Sequence, residues 1–319
     1  MPEAFDSVSP ASPTFWQVVC ERAADRATKR AFTVLASGEA EAETLSYGEL
    51  DLRARAVAVE LHGLAEPGER VLLLLPPGLG FVTAFLGCLY AGLVAVPAYP
   101  PRPGRGEGRI RALLGDARPR VAVATEATVG RLARRLEELG GGGSGGEPEA
   151  LRWLAVDRAP DSAARDWRPP AADPDAVAFL QYTSGSTAAP RGVQVTHRNL
   201  LANEGAIARA FDQSEDSVVV GWLPVYHDMG LIGNVLQPLW SGGSCVLMSP
   251  AAFLQRPRRW LEAIHRYRAT TSGGPDSAYA LTAGKVPPEE RAGLDLSSWR
   301  VAFDGSEPVR AETLESFAE

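Results

Sequence analysis

Residues 180–197 read Leu-Gln-Tyr-Thr-Ser-Gly-Ser-Thr-Ala-Ala-Pro-Arg-Gly-Val-Gln-Val-Thr-His, and the reading of this stretch decides the fold. A β-type run over 176–182 enters five small residues, Thr183, Ser184, Gly185, Ser186 and Thr187. Pro190, Arg191 and Gly192 follow, and a second β-type run covers 193–196. Small residues let a backbone approach a ligand closely, and consecutive N–H groups form a concavity that suits an anion. The hydroxyls and the Arg191 guanidinium add donors matched to phosphate. No Gly-Lys-Ser/Thr closes the loop onto a helix, so this is not a Walker-type loop. A Ser/Thr-rich surface turn is the plainer alternative, but strands on both sides and a Pro-Arg-Gly ending favour a phosphate loop.

Outward from the loop, short apolar runs alternate with helical patterns. Strands are predicted over 71–75, 94–98, 120–125 and 151–156, with helices over 79–92, 109–116 and 128–139 between them. After a Pro- and Asp-rich connection at 159–174 the rhythm resumes. Strands are then predicted over 177–182, 193–196, 218–223, 245–249, 270–272 and 300–303. Helices fall over 197–211, with Thr196 as N-cap, and over 228–240, 258–267, 276–284 and from about 308 onward. This βαβ order predicts an α/β fold built on parallel sheets with helices on both sides. Two subdomains are expected, residues 1–175 and residues 176–319, the second carrying the phosphate loop. The Gly-Gly-Gly-Gly-Ser-Gly-Gly run at 140–146 reads as a flexible spacer. The last helical pattern is still running at Glu319, without a C-cap glycine, which reads as a chain cut short.

Bulk chemistry narrows the function. The 319 residues are too many for one small core. The formal net charge of −7 argues against general nucleic-acid binding. Cys20, Cys88 and Cys245 are far apart and odd in number, which suits buried thiols in a reducing, cytoplasmic setting. The four histidines form no metal-ligand pattern. The N-terminus lacks the basic head and apolar run of a secretory signal. Residues 71–101 carry no charge, but Pro76, Pro77, Pro97, Pro100 and Pro101 break the run, so strand–helix–strand fits better than a membrane span.

Three further stretches stand at strand ends. Residues 222–233, Trp-Leu-Pro-Val-Tyr-His-Asp-Met-Gly-Leu-Ile-Gly, place Tyr226, His227 and Asp228 where a helix begins, a position that favours anions. Open α/β sheets bind ligands at such carboxyl ends. Residues 273–281, Gly-Gly-Pro-Asp-Ser-Ala-Tyr-Ala-Leu, put small residues at a strand-to-helix turn. Residues 301–309, Val-Ala-Phe-Asp-Gly-Ser-Glu-Pro-Val, are a strand followed by a tight turn.

Taken in order, these four motifs resemble the adenylate-forming superfamily of AMP-binding, acyl-CoA synthetase-like enzymes, and most closely the fatty acyl-AMP ligases. The resemblance runs from about Phe15 to the end. It implies two αβαβα-type subdomains of that family's N-terminal domain, ending before its β-barrel and C-terminal domain. It also implies ATP-dependent conversion of a fatty acid to acyl-AMP and pyrophosphate, with magnesium on the phosphates. The acyl group is then passed to the phosphopantetheine of an acyl carrier protein, in lipid or polyketide biosynthesis. The family's motifs would give Thr183, Ser184, Gly185, Ser186 and Thr187 to the leaving phosphates, with Arg191 beside them. They would set His227 near the carboxylate and α-phosphate, and Gly305, Ser306 and Glu307 against the adenine. Tyr226, Asp228, Gly274, Asp276 and Tyr279 would line the acyl site.

Departures from the pattern are Ala188 for Gly, Arg191 for Lys, and Asp276 and Asp304 where Asn is usual. At Asp304 an amide donor is lost. The family's magnesium-ligating Glu, ribose-binding Asp and catalytic Lys would lie past residue 319, so this piece alone is expected to bind ATP weakly and turn over poorly. A fatty acyl-CoA ligase, an amino-acid-activating adenylation domain and an inactive nucleotide-binding fragment are the alternatives.

Overall fold

The structure, a computed structural model, describes residues 14–101, 106–139, 151–182 and 191–319. Along the chain the strands are β1 (Arg30–Ala36), β2 (Ala40–Ser46), β3 (Arg70–Leu73), β4 (Val94–Pro97), β5 (Val121–Ala124) and β6 (Arg152–Ala155). They continue with β7 (Val177–Tyr182), β8 (Gly192–Thr196), β9 (Val218–Gly221), β10 (Ser244–Leu247), β11 (Thr271–Gly274) and β12 (Val301–Asp304). These form two six-stranded sheets, each in its own compact unit.

The first sheet has the order β6-β5-β3-β4-β7-β8 and is parallel except for the β7–β8 pair. Strands β3, β4 and β5 are almost wholly apolar and buried, the pattern of strands covered on both faces. The uncharged run near residues 71–101 is β3, the buried helix Leu79–Tyr90 and β4. Among the described residues no helix is long and apolar enough to cross a membrane. Phe81 and Phe85 stack with centroids 6.2 Å apart, and Phe85 meets Phe179 of β7 edge-on at 5.7 Å. Each such ring is worth about 1.5–3 kcal/mol over an exposed one. At Gly87 a Cβ would come within 2.5 Å of Val57 Cγ1, so glycine lets the helices Leu79–Tyr90 and Tyr47–His62 touch.

The hairpin β7–β8 carries the two ends of the expected phosphate loop. Thr183, Ser184, Gly185, Ser186 and Thr187 themselves lie outside the described residues, as does the 140–146 glycine run. The ends are pinned. Tyr182 pairs with Gly192, and its ring covers the place of a Cβ there, 2.9 Å from Cζ. The Tyr182 hydroxyl donates to Asp116 at 2.6 Å, and its carbonyl accepts from Arg109 at 3.3 Å. Burial first, and then Asp116, push the phenol above its ordinary range. Thr196 caps the following helix as predicted: its hydroxyl accepts from the Asn199 N–H at 3.1 Å, and Asn199 Oδ1 accepts from the Thr196 N–H at 3.1 Å.

The second sheet has the order β12-β11-β9-β10-β1-β2, parallel except for β1–β2. Its core is aromatic. Trp222 stacks on Phe253 with centroids 3.9 Å apart, and Trp260 meets Trp222, Tyr279 and Trp299 edge-on. Trp260 Nε1 donates to Ser272 Oγ at 2.7 Å, and that hydroxyl donates to the Val220 carbonyl at 2.6 Å. The core tryptophan is thereby tied to β11 and β9.

The division expected between residues 175 and 176 is not where the sheets divide. Strands β7 and β8 complete the first sheet, whereas β1 and β2, from the first fifty residues, complete the second. The cause is non-local pairing: Phe32, Thr33 and Val34 align with Cys245, Val246 and Leu247. Local patterning carries no signal for such a pairing.

His197 supplies a pH-dependent term to the first unit. It is 5% exposed, and Nδ1 accepts the Phe15 N–H at 3.2 Å, so the ring is neutral there. Burial lowers its pKa from 6.5 to about 4. The unfolded chain takes up this proton first as pH falls, so stability is lost between pH 6.5 and about 4 and is fully present above 6.5. Urea unfolding should show the wild type losing on the order of 2 kcal/mol more than His197→Asn between about pH 7 and about pH 4.5. Equal losses in the two proteins would remove His197 from this account.

Candidate active site

The carboxyl ends of β9, β11 and β12 lie side by side in the second unit, and the predicted motifs leave the sheet there. Past β9 the chain turns at Pro224, whose carbonyl accepts the His227 N–H at 3.0 Å. His227 occupies the N-cap of the short helix Asp228–Leu231. A Cβ on Gly230 would lie 2.2 Å from the Pro224 oxygen, so only glycine allows this tight entry. The helical path then widens into a π segment over Ile232–Leu236 before Gln237–Ser241. Such bulges recur at functional sites.

His227 Nδ1 lies 2.7 Å from Asp228 Oδ1, and the same oxygen accepts the Met229 N–H at 2.7 Å. Asp228 therefore fixes the ring through one nitrogen and leaves Nε2 outside that contact. The two side chains are 48% and 56% exposed. Tyr226 is half-buried beside them.

The turn after β12 reaches this segment. Ser306 adopts the left-handed region at φ 70° and points its hydroxyl at Met229 Sδ, 3.0 Å away. The Gly305 N–H donates to the Gly274 carbonyl at 3.3 Å. Glu307 Oε1 accepts the Ser277 N–H at 2.5 Å, in the first turn of the helix Asp276–Lys285. The Ser277 bonds outweigh burial and hold the Glu307 carboxyl below its ordinary range. Gly305 and Ser306 are thus brought to Met229, while Glu307 is held by Ser277. Arg191 is exposed just before β8 and belongs to the first unit.

Of the residues expected at the acyl site, the Asp276 and Tyr279 side chains are buried in bonds and packing within the unit, and Gly274 is closely covered. Asp276 is 1% exposed, and its oxygens accept from Arg310 and Thr313. Burial opposes ionisation of Asp276, but these bonds outweigh it and hold the carboxyl below its usual range. Tyr279 is also 1% exposed; its hydroxyl donates to the Phe303 carbonyl at 2.8 Å, and its ring meets Trp260 and Phe317. At Gly274 the space for a Cβ is taken by Trp222, 2.6 Å away. In each case the surroundings are set by packing, which local sequence does not record. Sequence reasoning also missed Met229, Ser277 and Arg310. Arg310 stands 34 residues from Asp276 in sequence, so local reading carried no signal for their pairing.

Both oxygens of Asp304 are buried and make no hydrogen bond of ordinary geometry among the described residues, with only the Gly305 backbone close enough to help. Burial, then Asp276 and Glu307, push its carboxyl above the ordinary range, with Gly305 and Arg310 opposing. Among the described residues no group of three His, Cys, Asp or Glu side chains is arranged to hold a metal ion.

A family model described as "AMP-binding enzyme" matches residues 20–319. The chain is 44% identical over 295 residues to the medium-chain-fatty-acid–[acyl-carrier-protein] ligase JamA of Moorena producens, covering 92% of this chain and 49% of that protein. It is 38% identical to the long-chain-fatty-acid–AMP ligase FadD32 of Mycolicibacterium smegmatis, covering 86% and 44%. The fold superposes on a fatty acyl-adenylate ligase from L. pneumophila, solved with acyl adenylate and pyrophosphate. The TM-score is 0.86 at 39% identity, over 96% of this chain and 52% of that one. The chain spans about half the length of these relatives.

A carboxyl buried without partners is costly, more so once ionised, and its raised pKa makes the cost grow as pH rises past the ordinary carboxylate range. Asp304→Asn should therefore raise stability by about 1 kcal/mol at a mildly alkaline pH and by less in acid, as read from thermal melts. A destabilised variant at alkaline pH would show that the carboxylate has a partner the fold depends on.

Proposed function

The chain belongs to the AMP-binding enzyme family, and we propose that the protein containing it activates a fatty acid with ATP and hands the acyl group to a carrier protein. The observation that carries this reading is the meeting of Ser306 with Met229 two residues from His227, at the carboxyl ends of parallel strands. Ligands of open α/β sheets bind at such ends.

In the first step a carboxylate oxygen attacks the α-phosphorus of ATP in line. A new O–P bond forms, the bond to the β-phosphate oxygen breaks, and pyrophosphate leaves with that electron pair. Such a transfer asks the protein mainly for positioning and charge stabilisation. His227, oriented by Asp228, would donate from Nε2 to oxygens of the carboxylate or α-phosphate. Gly305, Ser306 and Glu307 would lie along the adenine, and Tyr226 and Asp228 beside the acyl group. Thr183, Ser184, Gly185, Ser186 and Thr187 with Arg191 would hold the departing phosphates. Magnesium, when bound, would neutralise phosphate charge, and we assign it no ligand among the described residues.

In the second step the phosphopantetheine thiolate of an acyl carrier protein attacks the acyl carbonyl, a thioester forms and AMP leaves. The names of the similar ligases support a fatty acid and a carrier protein here. The reading carries a cytoplasmic location, where ATP and the carrier are both supplied and free cysteines persist.

The test uses the complete protein that contains this chain, labelled fatty acid and ATP, with holo-carrier protein and coenzyme A as competing acceptors. Acyl-AMP and pyrophosphate should form in equal amounts, and the label should move to the carrier. Transfer to coenzyme A alone would make it an acyl-CoA ligase, and nucleotide binding without pyrophosphate release an inactive binder. His227→Ala should lower acyl-AMP formation by about a hundredfold or more. An unchanged rate would remove His227 from the mechanism.

A further inference from the structure

We propose that Asp276 and Arg310 are positioning residues, which lock the 305–307 turn onto the segment bearing His227 before any ligand arrives. The proposal rests on reading that turn as nucleotide-binding. Asp276, at the head of the helix Asp276–Lys285, is a fully buried and multiply bonded carboxylate. Arg310 donates to it from Nη2 at 2.5 Å, from Nε at 2.7 Å and from its backbone N–H at 3.1 Å, and the Thr313 hydroxyl adds a bond at 3.2 Å. Arg310 is itself the N-cap of the last helix, Ala311–Ala318.

The next residue makes a second grip: the Ser277 N–H donates to Glu307. Two consecutive residues of one helix therefore hold the chain at 307, 310 and 313. On the other side of the turn, the Gly305 N–H donates to the Gly274 carbonyl. Ser306, between these anchors, is kept in a left-handed conformation that a non-glycine residue adopts only when its surroundings impose it. Its hydroxyl meets Met229. Asp276 and Arg310 touch neither Met229 nor His227; their effect passes through the turn.

A carboxylate that was merely structural would support the last helix without acting on the turn, and the two roles separate in an experiment. Hydrogen exchange of the 303–309 segment and ATP affinity are to be measured on the complete protein that contains this chain, as wild type, Asp276→Asn, Arg310→Ala and Arg310→Lys. Thr313→Ala serves as a milder variant should Arg310→Ala not fold. Arg310→Lys keeps the charge but loses the two-pronged geometry. The expected result is exchange faster by about tenfold in the turn, far-UV circular dichroism unchanged, and ATP bound about tenfold more weakly, with Asp276→Asn milder than Arg310→Ala. Unchanged exchange in every folded variant overturns the lock. Faster exchange with unchanged ATP affinity overturns the positioning role and leaves the pair as a prop for the last helix. Wild type that does not bind ATP, while the variants loosen the turn, supports the lock and overturns the nucleotide reading.

Discussion

The candidate site hangs on the parallel pairing of β9, β11 and β12. Parallel strands end on the same edge of a sheet, so segments far apart in sequence emerge together. The register aligns Thr271 with Val219 and Gly274 with Asp304. That alignment carries the 222–230, 275–277 and 305–307 segments to one edge. With antiparallel neighbours, alternate segments would leave from the opposite edge and Ser306 could not reach Met229.

Crowding at that edge then dictates residue type. Backbone meets backbone or an aromatic ring wherever a segment turns back over the strands, and a side chain at Gly230 or Gly274 would collide with Pro224 or Trp222. Polar groups trapped in the same space need partners. Asp276 has them, whereas Asp304 has none among the described residues. Two neighbouring carboxyls are consequently pushed in opposite directions, Asp276 downward by its bonds and Asp304 upward by burial. Asp276 accepts bonds from Arg310 and Thr313, whereas Asp304 feels the Arg310 charge without a bond to it.

Much of this was legible in the sequence. Strands that are continuous apolar runs, such as β3, β4 and β5, declare themselves, and so does a helix as strongly patterned as Arg258–Tyr267. The hairpin β1–β2 does not. Ala40–Ser46 is mostly exposed and carries two glutamates, and β1 finds its partner more than two hundred residues away. At the site, the backbone positions of His227 and of the 305–307 turn follow from where strands end. The directions of Asp276 and Tyr279 do not, because they are set by Arg310 and Phe303 from other elements, and neither does the crowding of Gly274 by Trp222. A sequence read locally gives the edge at which a ligand binds but not which side chains turn toward it.

The most direct test of the central claim is a crystal structure of the complete protein that contains this chain, with a non-hydrolysable acyl-adenylate analogue. The account predicts the adenine along Gly305, Ser306 and Glu307, the acyl–phosphate linkage beside His227, and Asp276 still on Arg310. An analogue bound elsewhere, or one whose acyl–phosphate linkage lies away from His227, would contradict it.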